Sequence, residues 1–161
     1  MKPSLTSIIL IDDHEMVRRG LRALLHLEPD MTIVAEAGTV ADGIAAVERL
    51  APHMVLLDVK LPDASLTEAC RRLLALAPKL RILVLTSYAE DSTVMAAVQN
   101  GAHGYVLKDI RTDELLRAIR TVASGQGYLD PRVTQQALRW IRTSSHLGVT
   151  SHGTSRLSPQ E

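Results

Sequence analysis

Short apolar runs alternate along the chain with segments whose apolar residues recur every three or four positions. The runs are Ile8–Ile11, Thr32–Ala37, Met54–Leu57, Ile82–Leu85 and Gly104–Leu107. Several are apolar on successive residues rather than on alternate ones, the pattern of parallel strands covered on both faces. Between them, Met16, Val17, Gly20, Leu21, Leu24 and Leu25 share one helical face. Thr39-x-x-Asp42 opens a helix that runs to Leu50, and Ser65-x-x-Glu68 is a capping box for a leucine-rich helix reaching about Ala77, before Pro78. A fourth helix runs from Asp91 to a stop at Asn100-Gly101, and Thr112 is placed to cap a fifth that ends near Ser124. Five strands alternating with five helices predict an open, doubly wound α/β fold with a parallel sheet, its strand C-termini along one edge.

The pattern changes after Gly125. Asp130-Pro131 is a helix cap followed by proline at the first helical position, and Val133, Ala137, Trp140 and Ile141 then fall on one face. The expected organisation is a main domain over 1–124, a linker helix over 125–142 and a flexible linker over 143–156, rich in Ser, Thr and Gly. Leu157-Ser158-Pro159-Gln160-Glu161 has the form of a helix start, so residues 157–161 are expected to open a further domain absent from this chain. Trp140 and its face can pack on the main domain or form a contact between two copies.

Composition narrows the function classes. Of 161 residues, 18 are Lys or Arg and 18 are Asp or Glu, so nothing in the net charge argues for nucleic-acid binding by this chain. Aromatics are 2% with no Phe, so the core is aliphatic. The single cysteine, Cys70, rules out an internal disulfide and fits a reducing compartment. With no signal peptide and no apolar stretch near 20 residues, the expected location is the cytoplasm, away from membranes.

The candidate chemistry lies at the strand ends. The first strand closes on Asp12 and Asp13, two like charges that repel and resist burial without a partner. The third delivers Asp58, the fourth Thr86 and Ser87, and the fifth Lys108. In an open α/β sheet all of these meet at the ligand-binding edge. Two or three carboxylates there suit Mg²⁺ or Mn²⁺, one carboxylate can attack phosphorus, and a lysine with a hydroxyl can hold phosphoryl oxygens. His14 can add a ligand, but it is expected to start the first helix and face solvent. The histidines at 26, 53, 103, 146 and 152 show no zinc spacing.

Asp12-Asp13, Asp58, Pro62, Thr86, Tyr105 and Lys108 stand in the order seen in the response-regulator receiver domains of bacterial two-component signalling, which the chain resembles over residues 5–124. Gly101-Ala102-His103-Gly104-Tyr105-Val106-Leu107-Lys108-Asp109 resembles the family's GAxGYLxKD segment. "DDHEMVRRGL" is similar to the NarL/FixJ branch, whose output is a LuxR-type helix-turn-helix, and "LSPQE" resembles the opening of that output domain. "LTSY" and "GYVLKDI" look closest to the branch's dormancy-survival regulators.

The resemblance implies a flavodoxin-like five-stranded sheet of order 2-1-3-4-5. It implies a transcriptional regulator that is a signalling phosphoacceptor and not a conventional enzyme, acting only on its own phosphorylation and dephosphorylation. Asp58 would take a phosphoryl group from a sensor histidine kinase. Asp13, Asp58 and the Lys60 backbone carbonyl would ligate Mg²⁺, with Asp12 acting mostly through water. Lys108 would pair with Asp58 and then with the phosphoryl group, Thr86 would bind a phosphoryl oxygen, and Tyr105 would switch rotamer as Thr86 moves. Phosphorylation would favour a homodimer, through the fourth or fifth helix, the first helix or the 130–142 helix. DNA would be reached only through the missing C-terminal domain. Ala64-Ser65-Leu66-Thr67 replaces a loop that often holds glycine in the family. Lys60 and Tyr88 stand two residues beyond Asp58 and Thr86, where bulky side chains are expected to slow dephosphorylation.

Other readings start from the same residues. A phosphate-independent interaction module would keep the fold without the chemistry. A corrinoid-binding domain uses Asp-x-His-x-x-Gly, but position 17 is Val. A haloacid-dehalogenase-type phosphatase needs Asp-x-Asp, which neither Asp12-Asp13-His14 nor Asp58-Val59-Lys60 supplies. Dinucleotide and P-loop glycine fingerprints are absent.

Overall fold

The structure, a computed structural model, describes residues 4–87 and 91–143. The order of elements is β1 (Thr6–Ile11), α1 (Glu15–His26), β2 (Met31–Ala37), α2 (Val40–Leu50), β3 (Met54–Leu57), α3 (Leu66–Leu76), β4 (Arg81–Thr86), α4 (Asp91–Gln99), β5 (Gly104–Leu107), α5 (Thr112–Ala123) and β6 (Tyr128–Leu129). A sixth helix, α6, follows over residues 131–143.

The strands form one sheet in the order β2-β1-β3-β4-β5-β6, and every neighbouring pair is parallel. This is the expected doubly wound sheet of order 2-1-3-4-5, with a short strand added beyond β5. Strand β6 pairs Gly104 with Tyr128 and Tyr105 with Leu129, held by Tyr128 N–H to His103 O (3.1 Å) and Asp130 N–H to Tyr105 O (3.0 Å). Two residues are too short a run for alternation to reveal.

The unbroken apolar runs have a direct cause. Ile9, Ile11, Val55, Leu57, Ile82, Val84 and Tyr105 point to one face of the sheet and pack with residues of α2, α3, α4 and α6. Ile8, Leu10, Met54, Leu56, Leu83, Leu85 and Val106 point to the other, against α1 and α5. Successive residues bury on opposite faces, so each central strand is apolar throughout. Helix α2 runs so close to β1 that a Cβ on Gly43 would collide with Ile11.

Several helix ends match expectation. Thr39 accepts from Asp42 N–H and Ser65 from Glu68 N–H, both at 3.1 Å. Gly101, past the end of α4, adopts φ +93°, the left-handed turn that glycine tolerates. Thr112 does not cap α5. It is the first helical residue, Arg111 occupies the cap without a capping side chain, and the Arg111 guanidinium pairs instead with Asp113 at 3.2 Å.

Helix α6 belongs to the same core. Val133 and Ala137 are buried in the cluster that fills this face of the sheet, and Trp140 packs against that cluster, so Trp140 lies on the main domain. Ile141 does not share that face and is exposed, as is Leu138. Cys70 is wholly buried, and burial pushes its thiol up to about 11, which makes it a packing residue. The expected linker after 143 and the helix start at 157–161 lie outside the described residues. Among the described residues, no helix is long and apolar enough to cross a membrane.

Candidate functional site

Three parallel strands end side by side, and their register brings the acids together. Asp58 N–H donates to Ile11 O (2.9 Å), and Asp12 N–H donates to Ala37 O (2.9 Å), so both carboxylates emerge at one level of the sheet. Lys108 N–H donates to Thr86 O (2.7 Å), which carries the lysine to the same edge from β5. Asp12 and Asp58 are each 4% exposed and Thr86 is 1% exposed.

The lysine answers part of the charge. Its ammonium lies 2.8 Å from Asp12 Oδ2 and 3.4 Å from Asp58 Oδ2. Asp12 is held on both oxygens, since its Oδ1 also accepts the backbone N–H of His14 at 2.8 Å. Burial pushes the Asp12 carboxyl up, but the hydrogen bonds from Lys108 and His14 outweigh it and hold Asp12 below the ordinary carboxylate value. Asp58 goes the other way. Burial and the neighbouring Asp12 charge raise its carboxyl, against the pull of Lys108 and a hydrogen bond from Val59 N–H to its Oδ1 (2.8 Å). Its Oδ2 is buried without a hydrogen-bond partner. This oxygen, buried and facing the Lys108 ammonium at 3.4 Å, is placed to bond to an electrophile or a cation.

Asp12, Asp13, His14 and Asp58 each offer one donor atom, and these atoms all lie within 4.8 Å of one another, a grouping that can hold a metal ion. Asp13 is more open than the other two acids. His14 was expected to face solvent. Its side chain is 60% exposed, yet Nδ1 points inward, 3.0 Å from Asp12 and 3.1 Å from Asp13.

The remaining expected residues are distributed around this edge. Ser87 is exposed beyond Thr86 and Lys60 is exposed beyond Asp58. Tyr105 is wholly buried, inside the core on the α4 and α6 side. Tyr88 lies outside the described residues.

Two contributors escape sequence reasoning. Asp63, in the loop after β3, accepts from Val40 N–H (2.9 Å) and Ala41 N–H (3.0 Å), and so ties the loop beside Asp58 to the start of α2. Arg18 reaches back from α1 to donate to the Asp12 carbonyl, and its Nε lies 3.3 Å from Glu36. Both contacts join residues on separate elements, which no local motif marks. A third link lies at the other side of Lys108. Arg132 bridges Asp109 (2.8 Å) and Asp130 (2.9 Å), and Asp130 caps α6 by accepting Arg132 N–H at 2.9 Å.

Comparison with known proteins bears on this arrangement. Residues 8–120 match the family described as the response regulator receiver domain. The DNA-binding transcriptional activator DevR/DosR of Mycobacterium tuberculosis is 44% identical over 138 residues, covering 86% of this chain and 64% of that protein. The nitrate/nitrite response regulator protein NarL of Escherichia coli is 33% identical over 155 residues, covering 96% of this chain and 71% of that protein. Among solved structures, a LuxR-family two-component response regulator from an Aurantimonas species superposes with a TM-score of 0.80 at 31% identity, covering 84% of this chain and 97% of that one. The chain thus spans less than two thirds of the length of DevR/DosR.

Proposed function

Since the chain belongs to the response regulator receiver domain family, we propose that it is the phosphoacceptor part of a two-component transcriptional regulator, and that Asp58 is the residue phosphorylated. The observation that carries this reading is the Asp58 carboxylate itself: buried, raised above its ordinary value, and presenting an oxygen without a hydrogen-bond partner at the open edge of the sheet.

The step is a single displacement at phosphorus. Asp58 Oδ2 attacks the phosphoryl phosphorus of a sensor kinase's phosphohistidine and forms a P–O bond. The P–N bond breaks, its electron pair stays on the imidazole, and the imidazole takes a proton from solvent. With acetyl phosphate as donor, the bond to the acetate oxygen breaks instead. Lys108, already 3.4 Å from Asp58, compensates the charge that builds on the phosphoryl oxygens. Thr86, at the end of β4, offers its hydroxyl to one of them. Tyr105 follows Thr86, and the change reaches the face covered by α4 and α6.

The donor set fits a hard divalent cation: oxygens of Asp13 and Asp58, with the Lys60 carbonyl two residues on, and Asp12 acting through water because Lys108 and His14 already hold it. Mg²⁺ or Mn²⁺ bound there supplies charge neutralisation for the phosphoryl oxygens. The partners on this reading are a sensor histidine kinase and a second copy of the phosphorylated chain. DNA is bound by a helix-turn-helix beyond residue 157, and the setting is the cytoplasm. The chain acts only on its own phosphorylation and dephosphorylation.

Acetyl phosphate with Mg²⁺ tests the reading by intact-mass measurement. The expected result is a mass increase of one phosphoryl group in the wild type, lost in Asp58→Asn. No increase in the wild type refutes it.

A further inference from the structure

The metal reading above uses oxygen donors, but the fold also turns a nitrogen into the cluster. His14 stands between the acids of β1 and the first turn of α1. Its Nδ1 lies 3.0 Å from Asp12 Oδ1, 3.1 Å from Asp13 Oδ1 and 3.8 Å from Asp58 Oδ2. Asp12 is already committed to Lys108 and the His14 amide. The donors facing one another are Asp13 Oδ1, His14 Nδ1 and Asp58 Oδ2; the last is buried without a hydrogen-bond partner, the Lys108 ammonium standing 3.4 Å from it as a longer ion pair.

Their spacing is that of ligands sharing one ion. Two donors each about 2.1 Å from an ion stand about 3.0 Å apart at a right angle and about 3.4 Å apart at the tetrahedral angle. The 3.1 Å separation of Nδ1 from Asp13 falls between those values, and the 3.8 Å separation from Asp58 exceeds the larger by about 0.4 Å, a gap for side-chain rotation to close when an ion binds. The tautomer protonated on Nδ1 donates to the acids; the one protonated on Nε2 offers the Nδ1 lone pair to a metal.

We infer that His14 Nδ1 is a ligand of this metal site, completing a two-carboxylate, one-imidazole set with Asp13 and Asp58 that favours borderline first-row ions such as Co²⁺ or Zn²⁺ over Mg²⁺. This rests on the metal reading of the acid cluster and adds a selectivity to it. Imidazole nitrogen adds affinity for transition ions and little for Mg²⁺, which seeks oxygen. Because the His14 ring is largely exposed, removing it leaves the core intact.

Calorimetric titration of the 161-residue chain with MgCl₂ and with CoCl₂ separates the outcomes. His14→Ala and His14→Gln are expected to weaken Co²⁺ binding about tenfold or more and to change Mg²⁺ binding by less than about threefold. The visible absorption of bound Co²⁺ is expected to change in both variants. Thermal melts check that they fold, and the glutamine variant serves if the alanine one does not. Equal loss for both ions, or no loss for either, overturns the assignment. Asp58→Asn is the control. If it binds Mg²⁺ as the wild type does, the acid cluster is not the metal site and the reading beneath falls too. If Mg²⁺ binding needs Asp58 while neither ion responds to His14, only the histidine assignment falls.

Discussion

Replacing Asp58 with asparagine should make the metal-free protein more stable, although it removes the residue proposed to do the chemistry. Asp58 Oδ2 lies 3.4 Å from the Lys108 ammonium, an attraction of about 5 kcal/mol at an effective dielectric constant near 20. Against it stand Asp12 and Asp13, whose donor atoms lie within 4.8 Å. Asp12 contributes about 3 kcal/mol of repulsion on the same scale, and Asp13 less because solvent screens it. The charges alone therefore nearly cancel, and burial of an ionised oxygen without a hydrogen-bond partner tips the balance against the acid. The amide keeps the acceptor for Val59 N–H and carries no charge.

A gain of about 1–2 kcal/mol follows, or about 3–8 °C in Tm for a domain of this size. Circular-dichroism melts at neutral pH in EDTA measure it. On adding Mg²⁺ the order should narrow or reverse, because an ion held by the wild type at a hundred times its Kd adds about 2.7 kcal/mol that the variant forgoes. An Asp58→Asn protein that melts at or below the wild type in EDTA would refute the reasoning, since the acid would then be satisfied by its surroundings.

Asp130→Ala removes the cap of α6 and should cost about 1–2 kcal/mol in denaturant unfolding at pH 7. Burial works to raise the Asp130 carboxyl, but the Arg132 and backbone hydrogen bonds hold it below its ordinary value, so its stabilisation is present above that value and fades as pH falls through the depressed one. Wild-type and variant stabilities, followed by urea titration at a series of pH values, should converge in acid and not in base. Gly43→Ala forces a methyl into Ile11 and should lose about 1–3 kcal/mol by the same measurement, whereas Gly20→Ala, with open space around it, should not.

The central strands were legible because burial on both faces leaves a strand apolar at every position, a pattern that survives without any three-dimensional information. The acids were legible for a related reason: in a parallel sheet every strand ends at the same edge, so Asp12, Asp13, Asp58 and Lys108 had to meet there. What stayed hidden depends on side-chain direction or on contacts far apart in sequence. Asp63 caps a helix that begins 23 residues earlier than itself. His14 starts the first helix with its ring 60% exposed, as the sequence suggests, and only the inward direction of its Nδ1, set by the backbone turn after Asp12, was not readable. Thr112 misled because a good capping residue stood one position too late, inside the helix it was expected to open.

Residues 128–137 bear on where this unit can be cut. Strand β6 and the adjoining Asp130 occupy the carbonyls of His103, just before β5, and of Tyr105 within it, and Val133 and Ala137 close the core behind them. A truncation after residue 124 would leave β5 as a bare sheet edge beside an opened apolar seam, the arrangement through which strands of separate molecules stack. A stand-alone piece that keeps this seam covered carries its residues to 137 at least, and one cut by the five-strand pattern alone is expected to aggregate more readily than it.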